Sequence, residues 1–303
     1  NQLMKIRVIT AILLLIAVIT GCSSDPDYKV AVTKDLYFVK DTAMPFEVKV
    51  TENKKAVKGL DVSANLAMTE MDHGSFDVKL KEGKNGTYSG KVNLPMGGKY
   101  EAVFTLKKDG KKTEKVIELN VTKPKGVAKV NDEWITAEDV SFYKFINQLQ
   151  LAINRESAEK QYKGEQLEEE LSYLETQEKT LEDKNQLLTQ IIRLRAMALL
   201  ADEKGHKATE TEVDAALSKA REQYNQFESA KKLINEYGEE KFWATEKQQY
   251  QMIVMSQKVQ KDLINKAKKE NPKAGDQEIY YQAQKEYEEL LVSQVNSIKI
   301  EIL

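Results

Sequence analysis

Four side chains in the first third of the chain are of a kind that holds a soft metal. Met68, Met71 and His73 stand at Met-x-x-Met-x-His spacing in "MTEMDH", and Met96 follows in "LPMGG". Thioether sulfur and imidazole together suit Cu(I), and a site poor in carboxylate disfavours magnesium or calcium. The same residues also read as packing. Met68 is in phase with Val62, Ala64 and Leu66, Met96 follows Val92 and Leu94 across Pro95, and His73 precedes Gly74 as a turn residue does. Methionine is a common filler of core gaps. The choice depends on how the neighbouring strands run.

Cys22 is the other chemically distinctive residue, the only cysteine in the chain. It follows Lys5, Arg7 and the uncharged run Val8–Thr20, "VITAILLLIAVIT". That run is short for a membrane span, which needs about 20 apolar residues, but it suits the core of a signal peptide. "ITGC", Ile19–Cys22, resembles a bacterial lipobox. The resemblance implies that residues 1–22 are a lipoprotein signal peptide ending at Cys22. Cys22 then carries lipid, including palmitate, and the chain sits on the outer face of the bacterial cytoplasmic membrane. With one cysteine committed to the anchor, folding rests on packing without disulfides.

No constellation for catalysis stands out. The two histidines fall in separate halves, and there is no cysteine nucleophile or phosphate loop. A net charge of −2, with no long basic block, gives no case for nucleic acid as a partner. At 303 residues, 41% hydrophobic and 31% charged, the chain is long enough for two globular domains.

Residues 28–123 alternate with period two. Phe46, Val48 and Val50, then Val62 to Met68, Phe76 to Leu80, Tyr88 to Leu94, Tyr100 to Leu106 and Ile117 to Val121 predict half-buried antiparallel strands. Asn85-Gly86 and Asp109-Gly110 predict type I′ hairpin turns, in which both central residues take φ > 0. About seven such strands predict an all-β immunoglobulin-like sandwich. Successive strands reverse direction, so Met68, Met71, His73 and Met96 are expected at one pole of it.

"MTEMDH…NGTYSGKVNLPMGGKYEAVFTL" resembles the FixH/YtkA-like domain family over most of residues 45–122. The resemblance rests on Met68, Met71 and His73, on Gly86-Thr87-Tyr88, and on Met96-Gly97-Gly98 before Tyr100, which stands where the family often has Trp. It implies copper handling, with Met68, Met71, His73 and Met96 as the ligands of Cu(I).

After the breaker-rich linker "TKPKG", residues 127–303 read as mostly helical. "VAKVNDEWIT" predicts a small hairpin turning at Asn131-Asp132, and Thr136 with Asp139 predicts a capping box. A Leu167–Ile192 stripe predicts one long helix over about 165–202, coiled-coil-like or a helical hairpin, closed by Gly205. Thr209 with Glu212 caps the next helix, Gly238 ends another segment, and Pro272 breaks the helix after it. "IKIEIL" at 298–303 alternates like a strand and is expected to pair with the hairpin at 127–135, joining the two ends of the module into a small β-sheet. "VAKVNDEWITAEDV", "LLTQIIRLRAMALLADEKGHKATETEVDAAL" and "YEELLVSQVNSIKIEIL" resemble the SurA-N-like chaperone module of SurA/PrsA-type extracytoplasmic foldases. His206 falls where that family usually has an aliphatic residue and reads as a surface turn histidine. There is no room for the parvulin isomerase domain, so the resemblance implies chaperone-like binding of unfolded or assembling client polypeptides without enzyme activity. Trp243, Tyr250, Met252 and Met255 are the candidates for a client groove; core packing is the other role open to Trp243.

Overall fold

The structure is a computed structural model and describes residues 25–303. Cys22 and the expected signal peptide lie outside the described residues. The chain divides into two compact units, one running through Pro124 and one from Lys125 to Leu303.

The first unit is an antiparallel β-sandwich. Its strands are β1 (Tyr28–Lys34), β2 (Met44–Glu52), β3 (Lys55–Ala56), β4 (Asp61–Met68), β5 (Ser75–Glu82), β6 (Thr87–Val92), β7 (Gly98–Lys108) and β8 (Lys111–Val121). They hydrogen-bond in the order β1-β2-β6-β5-β4-β7-β8, with β3 paired to β2. β5 is the joint between two faces: Phe76–Leu80 pair with β4, and Lys81 and Glu82 pair with β6. Alternate residues point inward, so Phe46, Val48, Val50, Leu66, Tyr88, Tyr100 and Phe104 are fully buried. Tyr88 keeps its hydroxyl satisfied in that core by donating to the Val57 carbonyl (2.9 Å) and accepting from the Leu60 amide (3.2 Å). The predicted turns have positive φ at Asn85 (55°) with Gly86 (74°) and at Asp109 (51°) with Gly110 (77°). A third turn of this kind, Asn53-Lys54 (φ 48° and 63°), joins β2 to β3 without a glycine.

The second unit carries β9 (Ala128–Val130) and β10 (Glu133–Ile135). Helices α1 (Ala137–Gln161), α2 (Glu165–Leu181), α3 (Lys184–Glu203), α4 (Glu210–Asn225), α5 (Glu228–Tyr237), α6 (Glu239–Glu270) and α7 (Asp276–Ser297) follow, and β11 (Ile300–Ile302) ends it. The expected closing sheet is present: β9 lies between β10 and β11, with Ile300 opposite Val130 and Ile302 opposite Ala128. The caps lie where the sequence puts them. Thr136 accepts from the Asp139 amide (3.0 Å) while Asp139 accepts from the Thr136 amide (2.8 Å). Thr209 accepts from Glu212 (3.2 Å). Gly205 (φ 85°) closes α3 in a Schellman turn, with His206 N–H on the Ala201 carbonyl (3.0 Å) and Gly205 N–H on Asp202 (2.9 Å).

The stretch expected over 165–202 as one long helix, coiled-coil-like or a helical hairpin, is two helices. α2 ends at Leu181, and Asp183 caps α3 by accepting from the Asn185 amide (2.9 Å). α3 is the central element. Leu188, Ile191 and Ile192 cover Ala128, Val130 and Ile135 of the small sheet, while Ala196, Met197 and Ala201 meet Val259 and Leu263 of α6 and Leu291 of α7. The apolar residues of α3 meet both the small sheet and the α6–α7 pair, so they do not fall on one narrow stripe. Among the described residues no helix is long and apolar enough to cross a membrane.

Candidate functional site

At one pole of the sandwich, β4 ends at Met68 opposite Tyr100. The backbone continues the pairing for one step, Thr69 N–H donating to the Lys99 carbonyl (3.1 Å), and then leaves in the loop 69–74. Met71 is exposed on that loop (54%), as is His73. Gly74 turns the chain into β5 at φ 77°, its amide held by the Asp72 carboxylate (3.2 Å). On the facing segment Tyr100, fully buried, donates its hydroxyl to the Met96 carbonyl (2.8 Å) and fixes the half-buried Met96 at the rim. Gly98 has φ 145°, and a Cβ there would lie 2.8 Å from the Met68 Cε methyl. The Met68 methyl therefore lies against the segment that carries Met96, and Met71 and His73 are exposed on the loop at the same end of β4. Among the described residues no group of three or more His, Cys, Asp or Glu side chains is placed to hold a metal. A metal held by Met68, Met71, Met96 and His73 would rest on thioether sulfur with one imidazole, a donor set that fits Cu(I).

The second unit has an open cleft of about 630 Å³ between the β9–β10 hairpin, α3 and α6. Its apolar lining is Val130, Ala198, Leu199, Ala208, Met252 and Met255. Met252 and Met255 are three apart on α6, so both thioethers project from one helix face. Arg195 borders the cleft and is occupied: it donates to the Trp134 carbonyl (2.9 Å) and pairs with Asp139 (3.2 Å).

Trp243 is not part of this cleft, and its place among the groove candidates is corrected. It is 9% exposed and sits edge-on to Phe242 (4.9 Å between centroids) in a core built from α1, α4, α5 and α6. The Arg221 guanidinium covers its ring at 4.7 Å. Tyr250 packs half-buried against the same cluster. The two halves of the candidate set separate because α6 turns one face to the aromatic core and another to the cleft. His206 bridges to Asp262 of α6 (2.5 Å) and fixes the α3–α4 connector.

One buried group has no counterpart in the sequence reading. Glu246 on α6 is 4% exposed, and burial alone pushes its carboxyl up to about 7. Tyr224 and Tyr250 lie near enough for its charge to raise their phenols further, after burial. Glu246 follows Trp243 by three residues, so an i, i+3 phase count marks it as inward-facing.

With both sites placed, comparison with known proteins bears on the first. Residues 24–104 match the model of the YtkA-like family. The YtkA-like segment begins before the motif region at 45–122 and ends within β7, and it contains Met68, Met71, His73 and Met96. No curated protein matches the chain. Among solved structures the chain is similar to an engineered protein at 13% identity, over 32% of this chain and 20% of that one, with a TM-score of 0.23. It is similar to the Lin-41 filamin domain at 11% identity, over 32% of this chain and 93% of that one, with a TM-score of 0.24. A fibronectin type-III domain of human fibronectin type III domain containing protein 3 matches at 16% identity, over 35% and 95%, with a TM-score of 0.23. The chain spans about a fifth of the length of the first of these structures.

Proposed function

We propose that the protein is a lipid-anchored extracytoplasmic assembly factor whose helical unit holds a non-native segment of a client polypeptide in the cleft beside Met252 and Met255. The carrying observation is that cleft: an open, largely apolar groove of about 630 Å³ with two thioethers on one helix face. Unbranched, polarisable methionine adapts to varied side chains, which suits a binder of many sequences. The resemblance to the SurA/PrsA-type module adds support, as does the small sheet that joins the two ends of the unit. The strand order of the first unit supports an immunoglobulin-like sandwich acting as spacer or adaptor. The role requires no bond-making and no isomerase.

The test is suppression of aggregation of a reduced, unfolding client by the full chain. We expect suppression that is lost in a Met252→Glu, Met255→Glu variant with an unchanged circular dichroism spectrum. Equal suppression by that variant sinks the reading. Anchoring is tested by labelling cells with tritiated palmitate: label is expected in the wild type and absent from Cys22→Ser.

One observation favours a second role in the same molecule. The Met68 methyl lies against Gly98, two residues along the chain from Met96, and Met71 and His73 are exposed on the loop that follows β4. The YtkA-like unit accordingly holds Cu(I) for an assembling client such as an oxidase subunit. A Cu(I) titration against a competing chelator is expected to show stoichiometric binding that a Met71→Ala, His73→Ala variant loses; undiminished binding in the variant excludes those two residues as ligands.

A further inference from the structure

The charge around the cleft is not balanced. Its two cations are already engaged: Arg195 with Asp139 (3.2 Å) and Lys207 with Asp202 (3.5 Å). Asp132 and Glu133, at the tip of the β9–β10 hairpin, also line the cleft, and neither makes an ion pair with any described residue. Both are exposed. The cleft thus presents an apolar floor of Leu199, Met252 and Met255 under a rim that carries two uncompensated carboxylates. Oriented charge at a rim selects partners more than it adds affinity.

We propose that this cleft selects cationic amphipathic polypeptide segments, in which aliphatic or aromatic side chains alternate with Lys or Arg, and that Asp132 and Glu133 make the selection. The proposal rests on the client-groove reading and gives it a substrate class. The apolar side chains of the segment lie on Met252 and Met255, and its basic side chains reach the hairpin tip. A segment bearing Glu or Asp at those positions meets like charge and is rejected.

Three labelled peptides test this by fluorescence anisotropy with the full chain. They share the same apolar positions and carry Lys, Ser or Glu at the polar ones. The Lys peptide is expected to bind roughly twofold to thirtyfold more tightly than the Ser peptide, the range that two solvent-exposed ion pairs supply. The Glu peptide is expected to bind most weakly, and the preference is expected to shrink as salt is added. Asp132→Asn with Glu133→Gln keeps the shape of the hairpin and removes its charge. That variant is expected to bind all three peptides alike, at the affinity the wild type has for the Ser peptide. A preference for Lys that survives in it overturns the proposal and points to another acidic surface, such as the glutamates of α2. Equal binding of Lys and Ser peptides by the wild type overturns it as well, leaving a neutral apolar groove. If no peptide binds, or if Met252→Ser with Met255→Ser binds the Ser peptide as tightly as the wild type does, the client-groove reading itself falls.

Discussion

Glu246 is the residue whose chemistry is most at odds with its surroundings. Tyr143 of α1, Tyr224 of α4 and Tyr250 of its own helix are near enough to feel its charge, and burial pushes its carboxyl up to about 7. A folded-state value above the unfolded one means that the native state binds more protons between about 4.5 and 7. The stability this group supports is therefore greatest at acid pH, falls as pH rises through that window, and is level above it. Glu246→Gln removes the dependence. The variant is expected to match the wild type near pH 4.5 and exceed it at pH 8 by up to about 3 kcal/mol, the value of a shift of this size. Urea denaturation followed by tryptophan fluorescence reads this directly, because both tryptophans, Trp134 and Trp243, lie in the helical unit. An equal gain at both pH values would mean that packing, not ionisation, sets the difference. Gly98 is the matching position in the sandwich. At φ 145° it favours glycine, and a Cβ would also meet the Met68 methyl at 2.8 Å. Gly98→Ala is expected to cost roughly 1–3 kcal/mol. Adding Met68→Ala should not restore the loss, since the flexible methyl can move aside whereas the backbone cannot; full recovery in the double variant would assign the cost to the contact.

The elements show what a sequence makes legible and what it hides. Local chemistry was readable: the Thr136–Asp139 box, the Thr209 cap, the Gly205 turn and the glycine-bearing hairpins each depend on a few adjacent side chains. The Asn53-Lys54 turn was missed because it lacks the usual glycine, although asparagine tolerates positive φ. The position of the break between α2 and α3 was not read because heptad spacing continues across Glu182 and Asp183 and no glycine or proline interrupts it. Asp183 beside Asn185 was the available signal. The cleft was only half legible. The sequence places Met252 and Met255 on α6, but the walls that make a groove of them come from α3 and a hairpin distant in the chain. Arg195 shows how such elements are fastened. Its guanidinium spans the Trp134 carbonyl and the Asp139 carboxylate, tying α3 to β10 and to the first turn of α1. Arg195→Met leaves the carboxylate and carbonyl without that donor and is expected to cost about 1–3 kcal/mol. Arg195→Lys, which lacks the planar fork, should recover only part of this. A urea midpoint for the Lys variant equal to the wild type would show that one donor suffices.

At the scale of the whole molecule, the helical unit is closed by its own ends. β11 pairs with β9 across nearly the full length of the unit, and Leu303 N–H still reaches the Val127 carbonyl (3.1 Å). Ile298 and Ile300 bring apolar surface to the core beneath the sheet. Removing residues 298–303 uncovers Ala128 and Val130, both buried, and is expected to cost roughly 3 kcal/mol, about the worth of two partly buried isoleucines with their backbone bonds. The kinetic consequence is more specific. Contacts that close a long loop carry the largest entropic cost and form after the local helices. The truncation should therefore act mainly on unfolding, raising its rate on the order of a hundredfold for a loss of this size while folding slows little. Stopped-flow tryptophan fluorescence of the two chains across a urea series separates the arms. If instead the folding arm drops by the whole loss and the unfolding arm stays in place, the closing sheet is already present in the transition state, and the two ends of the unit meet before its helices have finished packing.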